Sequence, residues 1–142
     1  MELHEVQNGL TTEIYCLLRK KVHFQEYPAS DAAIALKNTL FSVVVYDGRR
    51  PVGISRIVGD GRIVFFIKDV VVDPQYQNKQ IGRMLMQALL RYIDEKACFN
   101  AYVGLMCTPG TENFYEKFGF IRRPCNGFGH GMVKFVRTNP CL

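Results

Sequence analysis

Residues 63–83 begin with the apolar run Ile63-Val64-Phe65-Phe66-Ile67, pass through the charged break Lys68-Asp69, and continue as Val70-Val71-Val72. Asp73-Pro74 stops the run, and a polar loop follows, Gln75-Tyr76-Gln77-Asn78-Lys79-Gln80. Ile81-Gly82-Arg83 then opens an amphipathic stretch. Aromatic and β-branched residues in this density predict a long strand, and the residues after the loop predict a helix. A strand, a short polar loop and a helix N-terminus together suit an anion. The first backbone N–H groups of a helix lack internal partners, and the macrodipole adds partial positive charge there. Asn78 is the one candidate cap before the helix, and Gly82 in its first turn lets a ligand come close to the backbone. A phosphate-bearing ligand is expected at this corner.

Working outward, Ile81, Met84, Leu85, Ala88, Leu89, Tyr92 and Ile93 make an apolar stripe, so the helix should run from about residue 79 to 97. Residues 101–107 read as the next strand. A strand, a crossover helix and a second strand connect right-handedly, which puts this strand parallel to Val70–Val72. Residues 111–117 predict a short helix closed by Gly119 in the left-handed position. Phe120-Ile121 begins a further strand, and Met132 to Val136 reads as the last one. Upstream, residues 2–7 are a candidate first strand. Thr11 or Thr12 caps a helix to about Val22, and Ser30 caps a second helix. Phe41–Tyr46 and Val52–Val58 flank the hairpin signal Asp47-Gly48. The expected class is α+β: a mixed, mostly antiparallel sheet flanked by helices, with one parallel pair, in a single domain over residues 1–142.

With 142 residues the chain can bury a real core, and 48% hydrophobic against 22% charged residues fits a globular protein. No apolar run approaches a membrane span, and residues 1–5 lack the basic start and apolar core of a signal peptide, so a cytoplasmic location is expected. The five cysteines (Cys16, Cys98, Cys107, Cys125, Cys141) form no CxxC pair, and the histidines do not stand at metal-ligand spacing from them. Reduced thiols and no metal are the expectation, with Cys107 a buried thiol rather than a nucleophile. The net charge of +5 suggests an anionic partner. The basic residues are scattered as pairs such as Lys20-Lys21 and Arg122-Arg123, so nucleic acid ranks below a solvated surface or a polyphosphate ligand.

The chain has neither GxxxxGK[ST] nor a GxGxxG after its first strand, which removes a P-loop and a dinucleotide fold. Asp69-Val70-Val71-Val72-Asp73-Pro74, continued by Gln77-Asn78-Lys79-Gln80-Ile81-Gly82-Arg83, resembles motif A of the GCN5-related N-acetyltransferases. Their loop reads Q/R-x-x-G-x-G/A. Asn113-Phe114-Tyr115-Glu116-Lys117-Phe118-Gly119-Phe120 resembles their motif B, and the two motifs lie about the expected distance apart. Gln80 stands where the first loop glycine is usual, Thr108 where many relatives carry Asn, and Val103 where some carry a glutamate base.

This resemblance implies the acyl-CoA N-acyltransferase fold, with its parallel strand pair splayed, and transfer of an acetyl group from acetyl-CoA to a primary amine by direct attack. It implies that backbone amides of Val70, Val71 and Val72 face the thioester and pantetheine. Gln77, Asn78, Lys79, Gln80, Ile81, Gly82 and Arg83 would hold the pyrophosphate, and Thr108 the pantetheine arm. Tyr115 would protonate the leaving thiolate, a phenol of ordinary pKa near 10 being close to a thiol. Asp69 is a candidate base or a salt-bridged structural carboxylate, with Asp60, Glu26 and His130 as weaker candidates and water as a sufficient alternative. The first helix, the Phe24–Ser30 loop and the loop around His130 would shape the acceptor pocket, with Tyr27, Tyr46, Arg56 and Phe128 as lining candidates. The acceptor would be a small amine or a protein amino group. The alternative function is a non-catalytic acyl-CoA-binding module. The final strand could serve a homodimer.

Overall fold

The structure is a computed structural model in which residues 1–137 are described. The chain divides into two compact units, Met1–Met106 and the residues from Cys107 onward. The first unit contains β1 (Leu3–Gln7), α1 (Thr12–Lys21), α2 (Ala29–Lys37), β2 (Phe41–Asp47), β3 (Arg50–Gly59), β4 (Val64–Val72), a 3-10 turn (Pro74–Tyr76), α3 (Ile81–Lys96) and β5 (Tyr102–Gly104). The second contains α4 (Glu112–Glu116).

The strands form one sheet in the order β1-β2-β3-β4-β5. The first three pairings are antiparallel and the β4–β5 pairing is parallel. Short turns explain the meander, with Gly48 at a φ of 60° in the β2–β3 hairpin. The helix α3 explains the parallel pair. Running back along the strand at about 1.5 Å per residue, it returns the chain to the beginning of β4. Accordingly β5 pairs with Val64, Phe65 and Phe66, not with Val70–Val72. The parallel direction expected from the crossover holds, and the register differs from the expected one for this geometric reason.

Every residue from Phe41 to Val45 on β2 is buried, so the sheet is covered on both faces. On one face Phe41 stacks on Tyr92 of α3, with ring centroids 4.6 Å apart. On the other, Val44, Ile54 and Val71 pack with Tyr15, Leu18 and Ala32 of α1 and α2. Thr11 caps α1 as expected, its hydroxyl accepting from the Ile14 amide at 3.2 Å. Ser30 does not cap α2: that helix begins at Ala29, behind Pro28, whose carbonyl accepts from Ala32 at 3.0 Å. A proline restricts the chain entering a helix without needing a side-chain bond.

Residues 120–121 and 132–136 form no strand. Between Phe120 and residue 137 the described chain makes one isolated bridge, Cys125 with Phe128. Strand-like composition forms a strand only where another strand supplies backbone partners, and among the described residues none does. The described cysteines are free thiols; Cys141 lies outside the described residues.

Candidate functional site

The middle of β4 is irregular. Lys68 pairs with Arg56 and Val71 with Ile54, so Asp69 and Val70 together oppose the single residue Ser55. Two residues facing one is a β-bulge, and Asp69 takes the left-handed conformation it needs, with a φ of 61°. Aspartate is one of the few side chains that tolerate that region. The bulge reverses the strand's faces. Ile67 registers with Ile57 and thus with Phe41, the row that meets α3. Two residues on, a regular strand would point Asp69 the same way. Instead Asp69 points at α1.

There its carboxylate is buried and hydrogen-bonded on both oxygens. Oδ2 accepts from the Tyr15 hydroxyl at 2.6 Å and from Arg56 Nε at 3.2 Å. Oδ1 accepts from Arg19, the two forming a buried ion pair. Arg19 also donates to the Gln25 carbonyl at 2.8 Å, and Arg56 to Thr39 at 3.2 Å. The rings of Tyr15, Phe24 and Tyr27 each lie 5.3 Å from the Arg19 guanidinium. Burial, followed by the bond to Asp69 and its negative charge, pushes the Tyr15 phenol up to about 12. The resemblance named Asp69 but not Tyr15 and Arg19. Their signal was available: they stand four apart on α1, on the side that carries Leu18.

Below the bulge β4 has an open edge. Its ladder with β5 ends at Phe66, opposite Gly104, so among the described residues Ile67 to Val72 have no strand on that side. The Asp73 amide donates to the Val52 carbonyl at 2.8 Å, toward β3. By strand alternation the Val72 amide turns the other way, toward the open edge.

The loop beyond is tightly anchored. Asp73 is buried, accepting from Lys21 at 2.8 Å, Arg50 at 3.1 Å and the Gln75 amide at 2.9 Å. Burial pushes this carboxyl up, but those three bonds outweigh it and hold the group below the usual range. The Tyr76 hydroxyl donates to Asp47 at 2.7 Å. After this anchored turn, Asn78 and Gln80 are left-handed, with φ of 61° and 69°. Gln80 occupies the cap position of α3 and makes no capping bond through its side chain; Asn78, the expected cap, stands outside it. Met84 makes the first helical bond, to the Gln80 carbonyl at 3.0 Å. The amides of Ile81, Gly82 and Arg83 therefore have no helical acceptor. Lys79 and Arg83 are exposed beside them.

A cavity of about 300 Å³ lies between α1 and the segment leading to α2, lined among others by Tyr15, Arg19, Phe24, Glu26 and Tyr27. It coincides with the Phe24–Ser30 part of the expected acceptor pocket. Two lining candidates are engaged elsewhere: Tyr46 stacks on His4, and Arg56 is held by Asp69. Of the weaker base candidates, Asp60 accepts from the amides of Arg62, Ile63 and Val64 and closes the β3–β4 turn. Glu26 is at the cavity; His130, like the lining candidate Phe128, belongs to the second unit.

In the second unit Tyr115 is half-buried on α4, edge-on to Phe114 and Phe120. Burial, then the nearby Cys107, pushes its phenol up to about 12. It is thus a weaker acid than the ordinary value near 10 implied, and it carries its proton at neutral pH. Thr108 is exposed, its carbonyl holding the amide and hydroxyl of Thr111 at 3.1 and 2.6 Å.

Comparison with known proteins gives a consistent result. The model of the acetyltransferase (GNAT) family matches residues 7–120. The chain is 36% identical over 116 residues to GCN5-related N-acetyltransferase 1, chloroplastic, of Arabidopsis thaliana, covering 78% of this chain and 56% of that protein. The chain thus spans little more than half the length of that curated relative. A probable acetyltransferase from Staphylococcus aureus superposes with a TM-score of 0.84 at 31% identity, over 94% of this chain and 99% of the other. A GNAT family protein of Streptococcus pneumoniae superposes at 0.77 with 27% identity, over 96% and 99%.

Proposed function

Because the chain belongs to the GNAT family of acetyltransferases, we propose that it transfers the acetyl group of acetyl-CoA to a primary amine by direct attack in a ternary complex. One observation carries this reading: the edge of β4 that no strand covers among the described residues, where the Val72 carbonyl accepts from the Gln77 side chain at 3.3 Å, leads through an anchored turn to the uncapped start of α3. Both features offer backbone donors that no strand or helix among the described residues takes up. The amides of Ile81, Gly82 and Arg83 suit a pyrophosphate, with Lys79 and Arg83 as countercharge. The β4 edge suits the amide-bearing pantetheine arm, which would add to it as a strand does; the contact of Thr108 with that arm is what the family resemblance implies.

In this reading the amine lone pair attacks the thioester carbon. The oxyanion that forms is met by the Val70–Val72 stretch, whose Val72 amide faces the open edge. The C–S bond then breaks, and the departing sulfur takes a proton, the role the family resemblance gives to Tyr115. The proton lost by the amine passes to solvent. Asp69 accepts hydrogen bonds on both oxygens, which leaves the base role to water or to Glu26 at the cavity. The cavity beside α1 and Tyr27 would receive the acceptor, a small amine or a protein amino group, and a cytoplasmic site of action belongs to the same reading.

Release of CoA thiol from acetyl-CoA, measured across a panel of amines, tests this. Turnover with at least one amine supports it. Binding of acetyl-CoA with no acceleration by any amine would favour the second reading, a non-catalytic acyl-CoA-binding module. Gln80 in a left-handed position where relatives place glycine is the observation in its favour.

A further inference from the structure

We infer that Asp69 is a positioning residue: clamped by Tyr15, Arg19 and Arg56, it holds the β4 bulge that aims the amides of the open edge. This rests on the acetyl-CoA reading above and deepens it.

Three observations combine here. The bulge at Asp69 and Val70 lies at the start of the stretch whose amides are offered to the thioester, and Val72 follows it by two residues. Which amide faces the open edge depends on the bulge, because a strand with one residue fewer would turn every later amide to the opposite side. The bulge needs a left-handed residue, and Asp69 is one, at a φ of 61°. A side chain in that conformation is strained unless its surroundings hold it. Those surroundings are three donors from two elements. Tyr15 and Arg19 come from α1 and Arg56 from β3, and all three are buried. The clamp thus ties the bulge to the helix across the sheet face. Its donors occupy both carboxylate oxygens, the opposite of what a proton acceptor for the substrate requires. Tyr15 and Arg19 also line the cavity assigned to the acceptor, so the same side chains border the amine's pocket and fix the edge that holds the thioester.

The test compares the wild type with Asp69→Asn, Asp69→Ala and Tyr15→Phe. CoA affinity is measured by calorimetry, kcat and KM for acetyl-CoA across pH, and Tm as a check of folding. Asparagine tolerates the left-handed region and keeps one acceptor oxygen. Asp69→Asn should therefore raise KM and lower kcat by less than about tenfold, with the acidic limb of the pH profile kept. Alanine keeps neither property, and Asp69→Ala should weaken CoA binding by at least tenfold more than Asp69→Asn. If Asp69→Ala does not fold, Tyr15→Phe decides: it leaves the carboxylate in place but loosens the clamp, and should raise KM for acetyl-CoA more than it lowers kcat. The inference is overturned if folded Asp69→Ala, or in its absence Tyr15→Phe, binds CoA like the wild type. It is equally overturned if Asp69→Asn loses about a hundredfold in kcat together with the acidic limb at normal CoA affinity, the signature of a base. A wild-type chain that binds no CoA sinks the acetyl-CoA reading itself and, with it, this role. Normal wild-type binding with unaffected variants sinks only the role of Asp69.

Discussion

At Gln80 the backbone matters more than the side chain. Its φ of 69° is where a residue with a Cβ is disfavoured by about 1–2 kcal/mol, and glycine is not. The side chain is exposed and makes no capping bond, so its removal costs nothing visible. Gln80→Gly should raise stability by about 1 kcal/mol and leave CoA binding as tight or tighter; a lower Tm would contradict it. At Tyr115 the proton matters. With the phenol pushed up to about 12 it is fully protonated at pH 7, which an acid needs, although the transfer to sulfur is less balanced than an unperturbed tyrosine would give. Tyr115→Phe should lower kcat by about a hundredfold while KM for acetyl-CoA changes less than about threefold. Unchanged kcat in steady-state assays removes Tyr115 from the chemistry.

Among the elements, β4 and α3 were legible from sequence because one was a dense apolar run and the other had a helical stripe. The bulge between Ile67 and Val71 was written only as the pair Lys68-Asp69, a charged interruption that a periodicity reading treats as noise. The register of β5 is not legible in the sequence, which sets the direction of a crossover but not where the returning strand begins. The start of α3 depends on a close approach no periodicity reveals. A Cβ at Gly53 would stand 2.6 Å from Cγ2 of Ile81 and 3.3 Å from Cδ1 of Leu85, so β3 receives the first turn of α3 only because residue 53 has no side chain. Gly53→Val should therefore displace that turn. Overpacking of this kind costs about 1–3 kcal/mol, and CoA affinity should fall with the Tm, since the displaced amides are those of Ile81, Gly82 and Arg83. A variant with lowered Tm but native CoA affinity, by calorimetry, would show that the helix start is not where the pyrophosphate sits.

Over the whole molecule, the strand-like residues 132–136 show where local pattern stops informing: apolar composition there meets no partner strand among the described residues. The buried polar groups tell more, because their proton equilibria set how stability responds to pH. Asp73 is held below the usual carboxylate range, so its contribution is present above about pH 4 and fades as pH falls through its lowered value. Tyr15 works at the other end. Its folded pKa of about 12 lies above the unfolded value near 10, so the folded state holds the proton more tightly. That contribution is complete below pH 10 and is lost as pH rises toward 12. Tyr115, shifted the same way in the second unit, makes a like contribution. Thermal melts should give a plateau through neutral pH and a Tm falling on the order of 5 °C or more between pH 10 and 12. Phenylalanine cannot ionise, so Tyr15→Phe should start from a lower Tm at pH 7, for want of the bond to Asp69, and then fall less steeply through that window. Tyr115→Phe should flatten the remaining slope. An alkaline fall of wild-type steepness in the double variant would mean that other groups, the lysines foremost, govern the molecule's alkaline limit.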